Sequence, residues 1–542
     1  MKKFQKVLAV VLAVIMIMMT AAIPALASDR DLDPSADSSS KMKATLYSIL
    51  DKIISFVLKI LNTLIPGRDW GKTWPKLSEY SSDGFYAGAA FTEAAADAKW
   101  SMGYSKASLL TGIDPMDGTY YLGGSLEAID GRVPTAVIDD QQVVVYAISD
   151  GTETVIHAVI DCFGIARGDV VAIRQELADW AAENNITAIQ ISALHQHSCI
   201  DTLGLSAPLV EALLFNPAFS LFGSDLSKYV QGKNATFMEN VYKYTEYCIK
   251  EAYENMTEGE LEYGYVDCSE LIYDKRTPDN TNDNAYRFKF TPDDEGNEIW
   301  LVNINCHDVT FGASADVLSA DYPYYIREAL AARNIDCVYV QGAELAITTD
   351  GDGIENKDEL TNDTEWAKAY AAAFIAKLDT ITNDVELSAN LNFAAKEVEI
   401  SADNGVLALA VREGLITPVV AKDGSDLVII TEIGYMELGN TVGIFFAPGE
   451  LDPQIVWGEK TGAKLTSEQS WDGTTWDKTP IAETAGLDEV LCFGLANDQI
   501  GYVLCSSDVR SILTENEEIL ASSYTAAASL VEGFEALIKA VK

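Results

Sequence analysis

Only four histidines occur in 542 residues, and three of them stand where short apolar runs end. Residues 188–193, AIQISA, alternate apolar with small or polar side chains, as a largely buried strand does. His195 and His197 follow, two residues apart. In an extended segment positions i and i+2 face the same side, so this spacing would set two imidazoles on one small volume. Such a pair is a common start of a metal site; two surface histidines at a loop are the plain alternative. Residues 301–307, LVNINCH, repeat the design and close on His307. Two strand ends brought to one sheet edge would gather His195, His197 and His307. The fourth histidine, His157, lies inside the apolar run TVIHAVID and is expected to be a satisfied core histidine. The spacing points to a metal hydrolase but does not choose among the many carboxylates that would complete the site.

The chain opens with Lys2 and Lys3, an apolar run and Ala25-Leu26-Ala27 before Ser28, which reads as a secretory signal peptide over 1–27. That leader predicts a secreted or cell-envelope protein. Residues 28–68 read as an Asp/Ser-rich linker followed by an amphipathic helix over 42–65, ended by Pro66-Gly67. The helix either docks on the body of the protein or lies on a membrane surface. A formal net charge of −44 makes nucleic acid an implausible partner and suits an extracellular protein, with a structural Ca²⁺ or Mg²⁺ as a further expectation. Residues 350–359, DGDGIENKDE, miss the EF-hand template at the fifth position and at the turn glycine, and read as a solvated acidic loop. The eight cysteines show no close pairing and sit largely in apolar runs, so buried thiols are expected.

Strands and helices alternate beyond residue 99. Strands are expected at 133–138 paired with 143–147, then at 155–160, 337–340, 393–400, 427–433 and 441–446. Helices are expected at 168–184, 225–255, 321–334 and 364–381. This is a mixed-sheet, layered α/β architecture over 69–542. The loop 203–222 is unusually apolar, with Leu213 and Phe215 among its large side chains, and reads as core packing or as a wall for a lipid chain.

Several blocks, in order, carry a family resemblance. ISALHQHS resembles the T-H-T-H-S-G-P block of neutral (non-lysosomal) ceramidases, and INCHDVTFG their second histidine block. LSADYPYYIREAL is similar to the family's S-x-D-x-x-G helix start. FAPGE at 446–450 matches P-G-E, and GLANDQIGY at 494–502 matches G-L-A-N-x-x-x-x-Y. The resemblance implies a catalytic domain without the C-terminal immunoglobulin-like domain of longer members. It implies a Zn²⁺ held by His195, His307, Glu450 and Tyr502, with His197 and Arg276 as catalytic partners; Arg276 lies in KRTP, similar to the family's N-R-S-P. Two imidazoles and a carboxylate suit a zinc that lowers the pKa of water toward ~7 for attack on an amide. Tyr502 would serve either as ligand or as hydrogen-bond donor.

The sequence also departs from the family. The stretch 341–348, QGAELAIT, lacks the Ser-Pro-Asn of the corresponding block, and Cys199-Ile200 stand where Gly-Pro is expected. The implied function is a secreted zinc amidase acting on ceramide or another N-acyl lipid. A zinc hydrolase of peptide or cell-wall amides, or a non-catalytic envelope-binding protein, are the alternatives.

Overall fold

The computed structural model describes residues 32–64, 74–124, 131–206, 232–276, 280–312, 315–412, 414–424, 426–459, 465–514 and 516–542. The leader 1–27, Pro66-Gly67, Thr277-Pro278 and the apolar loop from 207 onward, with Leu213 and Phe215, lie outside them.

The strand Gln142–Ser149 shows how the layers arise, because all eight of its residues are buried. Val143, Val145 and Ala147 face one way, against Val170, Ile173 and Leu177 of the helix Arg167–Glu183 and Phe237 and Val241 of the helix Ala235–Glu254. Val144, Tyr146 and Ile148 face the other way, into a core shared with a second sheet. Period-two alternation with both faces apolar is what a strand between two layers requires. The second sheet follows the same rule. Ile444 and Phe446 point into the shared core, while Phe445 meets Phe534 of the helix Ala526–Val541. Helices therefore cover the outer faces of two packed sheets, the mixed α/β layering expected from the sequence.

The larger sheet has nine strands. Its main path runs Ile335–Gln341, Glu298–Ile304, Asn284–Pro292, Thr257–Asp267, Trp100–Ser108, Gln142–Ser149, Thr154–Ile160, Ala188–Ala193. Pairing is antiparallel through the middle and parallel at both margins, where 298–304 meets 335–341 and 154–160 meets 188–193. Strand 335–341 comes back alongside 142–149 and 154–160, so the sheet curls and its margins approach each other. The second sheet runs Leu391–Ser401, Asp426–Leu438, Val442–Phe446, Glu489–Phe493, with its last pair parallel.

One strand pairing expected from sequence is corrected. Val133–Ile138 does not pair with 143–147. Only Ala136–Val137 is extended, in parallel with Val317–Leu318, because Trp100–Ser108 takes the antiparallel place beside 142–149. His157 is a core histidine, its Nε2 2.7 Å from Ser192 Oγ, and burial pushes its pKa down to about 3. All eight cysteines are buried free thiols. In the acidic loop after 350, Lys357 pairs with Asp352 at 2.5 Å.

The expected amphipathic helix is present as Ser38–Leu64. One face docks: Tyr47 stacks on Trp471 at 5.8 Å, and Leu50 and Ile54 pack with Ile512, Leu513 and Ile519. Leu58 lies directly on Gly405, so close that a side chain there would have no room. Asp51 sits in this seat, accepting a hydrogen bond from Ser511 Oγ at 2.9 Å. Burial raises its pKa to about 7, against the opposing Ser511 bond and with help from the charge of Glu518. The folded state thus holds a proton that the unfolded chain releases near pH 4, and stability falls as pH rises from there through about 7. Asp51→Asn is expected to raise the thermal midpoint at pH 8 and leave it unchanged at pH 4. A constant difference across that range would show that Asp51 does not titrate in its seat.

Candidate metal centre

Five chain segments meet at one place, each just past the C-terminal end of a strand in a parallel pair. His195 follows 188–193, His307 follows 298–304, and Glu344 follows 335–341. Glu450 follows 442–446 and Tyr502 follows 489–493. Ligand sites gather at such strand ends because the loops there project into the open crevice. The curl of the large sheet brings its two margins together, so the His195 and His307 rings lie 5.0 Å apart between centroids. His197 is 4.8 Å from His195 and 6.0 Å from His307.

The two residues of the HxH pair do not converge by strand alternation. His195 has φ +61°, a left-handed conformation that costs a non-glycine residue about 1–2 kcal/mol. The strand has ended and turned. The turn is held by the GLAN segment: Leu495 O accepts from Ala193 N at 3.2 Å, and Asn497 N donates to Ile191 O at 2.7 Å. Asn497 Oδ1 also accepts from Ile191 N at 3.0 Å. Arg132 Nη2 donates to His197 O at 2.6 Å. Glu450 and Tyr502 face each other across a short parallel bridge. Gly449 (φ +74°) permits that approach, since a Cβ there would overlap Gly501 O.

The ring nitrogens decide what the cluster can do. His195 Nδ1 lies 2.8 Å from Phe163 O, and His307 Nδ1 lies 2.8 Å from Ile347 O. A carbonyl only accepts, so each Nδ1 carries the proton and each Nε2 presents a lone pair. Those Nε2 atoms lie 3.2 and 3.4 Å from one oxygen, Glu450 Oε2. His195 Nε2 and Glu450 Oε2, with both nitrogens of His197 and Glu344 Oε1, are buried without a hydrogen-bond partner among the described residues. Acceptors turned on one another with nothing between them repel, and a cation in their midst removes the conflict. Ligand atoms of His195, His307, Glu344 and Glu450 all lie within 4.8 Å of one another, as do those of the three histidines. The residues present fit a metal ion.

Electrostatics sort the two carboxyls. Burial disfavours ionisation of Glu450, but positive charge on the facing imidazoles of His195 and His307 would more than offset it and hold the group below the usual carboxylate range, and a cation seated among them would act in the same direction. Glu344 is pushed well up by burial and then by the charge of Glu450. Burial, reinforced by His195 and His307, keeps His197 well below its ordinary value, so it is neutral at pH 7. Gln499 Nε2 donates to Glu450 Oε1 at 3.1 Å, and Gln341 Nε2 donates to Glu344 Oε2. Phe163 stacks on His195 at 4.3 Å. The Tyr502 phenol is held well above its ordinary pKa by burial and by Glu450.

The structure therefore brings together His195, His197, His307, Glu450 and Tyr502. Arg276 is bonded to a neighbouring set of carboxylates. The Arg276 guanidinium donates to Asp508 Oδ2, Asp508 O and Glu518 Oε1, each at 2.7 Å, and more weakly to Glu517. Glu344 is the residue that sequence reasoning missed. Its signal was an acidic side chain three residues past the strand end at Gln341, inside the stretch notable for what it lacked.

No protein-family model matches the chain, and no curated protein sequence does. The fold does have solved counterparts. A neutral ceramidase from Pseudomonas aeruginosa and a ceramidase complexed with C2 each superpose with a TM-score of 0.59 at 12% identity. Each match covers 82% of this chain and 75% of the counterpart. At that identity the likeness is one of fold, and it places this chain's mixed α/β layers on the architecture of neutral ceramidases.

Proposed function

We propose that the protein is a zinc-dependent amidohydrolase that cleaves the amide bond of an N-acyl lipid such as ceramide. The observation that carries the reading is an apolar cleft that reaches Glu450, one of the candidate metal ligands. Phe163, Leu407, Val411, Ile429 and Ile500 line it, and Glu450 lies on its wall. Leu203 and Leu205, the described start of the apolar loop, line it too. A site with polar groups at one end and an apolar wall beyond suits a substrate with a polar head and a hydrocarbon tail. The cleft is narrow, so its lining must part to admit a long chain.

In this reading His195, His307 and Glu450 hold the metal, with Tyr502 or Glu344 completing the set. The metal would supply Lewis-acid polarisation of the amide carbonyl and a nucleophilic water near neutral pH. The chain does the rest. Gln499 fixes the Glu450 carboxylate, and Phe163 shields His195 from solvent. His197, neutral and without a hydrogen-bond partner among the described residues, offers one N–H and one lone pair for proton transfer or for a hydrogen bond to developing negative charge. Arg276 enters as a clamp on the 508–518 segment, whose Glu517 charge reaches Tyr502.

The test is metal content of the purified protein together with hydrolysis of ceramides, N-acyl amino acids, peptides and cell-wall amides, read as the free amine released from each. Zinc with release from the acylated substrates is expected; release from peptides alone would replace lipid with peptide. His197→Ala should keep the metal and lose roughly 10²–10⁴-fold in turnover. Loss of metal from that variant, with metal kept in His195→Ala, would reverse the two roles.

A further inference from the structure

The N-terminal helix Ser38–Leu64 carries a second apolar face. Met42, Leu46, Ile49, Ile53, Phe56 and Ile60 recur every three or four residues, and each is between 41% and 68% exposed. That spacing draws one straight stripe along the helix. The stripe is separate from the docked face, where Tyr47 and Leu58 are buried. Soluble surfaces scatter large apolar residues singly; six in line mark a binding face.

We infer that this stripe docks the protein on a phospholipid surface, with the helix lying in the plane of the headgroups. Charge identifies the occupant. Between residues 42 and 64 the only acidic residue is Asp51, which is turned into the protein. Lys41 and Lys52 are exposed along one flank of the stripe, with Lys59, which also faces Asp426 at 3.6 Å, and Lys43 is exposed along the other. Lysines about a quarter-turn from an apolar stripe reach up to phosphates while the stripe sits among acyl chains. A second copy fits this face less well. A two-fold pair would set the lysine rows against each other, and a net charge of −44 opposes self-association. The position also has a use. The helix lies on Gly405–Arg412, whose Leu407 and Val411 wall the apolar cleft, so the lipid surface and the cleft share one thin layer of protein. Docking does not require the hydrolase reading, and its test uses no turnover.

The experiment uses the full chain and vesicles of phosphatidylcholine with one-fifth phosphatidylglycerol. Native thiols are buried, so Phe56→Cys accepts an environment-sensitive dye. The dye is expected to shift to the blue on vesicles and to be quenched by acyl-chain nitroxides. Leu46→Asp with Phe56→Asp should weaken sedimentation with vesicles roughly tenfold or more, with an unchanged circular dichroism spectrum. Undiminished binding of the double variant, or an unshifted dye, would overturn the inference. A concentration-dependent dimer that the same double variant dissociates would give the face to a second copy instead.

Discussion

Alanine at His307 is expected to strip the purified protein of the zinc proposed for the site. His307 contributes a buried Nε2 whose orientation is fixed by the Nδ1 bond to Ile347 O. A structural zinc site holds its ion by about 10–16 kcal/mol, and loss of one neutral imidazole of a three- or four-ligand set removes several of these. Affinity should fall on the order of a thousandfold, enough for a mild chelator to empty the variant while the wild type stays loaded. His195→Ala should behave alike. Elemental analysis after dialysis against the chelator reads the outcome, and equal zinc in wild type and variant would remove His307 from the ligand set. Glu344→Gln and Tyr502→Phe, measured beside them, decide the remaining position. Glu344 offers the unpartnered Oε1, whereas Tyr502 offers a phenol that burial and Glu450 keep protonated. The smaller zinc content belongs to the true ligand.

The layered fold was legible because its strands are short and apolar on both faces, a pattern that survives in any window of sequence. Residues 142–149 and 442–446 announce themselves in this way. The three site histidines were legible for a different reason: rarity makes their placement at two strand ends stand out. What no local pattern contains is the curl that brings the margins of a nine-stranded sheet together, since it arises from pairings between residues far apart in sequence. The left-handed turn at His195 was hidden as well, because it is imposed by Leu495 and Asn497, some three hundred residues later. Glu344 went unseen because an isolated carboxylate near a strand end resembles many others in a chain with 82 of them. Arg276 illustrates the converse. Its short motif suggested a donor to substrate, but a guanidinium among Asp508, Glu517 and Glu518 spends its hydrogen bonds there. A motif specifies a residue type and a spacing; the partners that fix its task lie elsewhere in the chain.

The second large effect concerns the length of the acyl chain. If the tail enters the cleft beside Glu450, each methylene it buries is worth ~0.8 kcal/mol. Three further methylenes buried in the transition state should raise kcat/KM by roughly 50-fold, until the lining can part no further. The loop residues Leu213 and Phe215 lie outside the described part of the structure, so the wall is better tested from the helix Gly405–Arg412. Ala408 lines the cleft, and a phenylalanine ring at that position would project into it and narrow it. Ala408→Phe should therefore flatten the length dependence while leaving the shortest N-acyl substrates nearly untouched, because the ring fills the tail's path and not the site of bond cleavage. The measurement is kcat/KM across N-acyl substrates of graded length, each kept below its aggregation threshold so that vesicle docking does not enter. Two outcomes separate the parts of the argument. A flat profile in the wild type would sink the lipid reading and leave the metal hydrolase. A steep profile that survives Ala408→Phe would keep the lipid and move its tail to a different wall. A profile lost only in the variant is the expected result, since only burial of the tail against that helix couples chain length to residue 408.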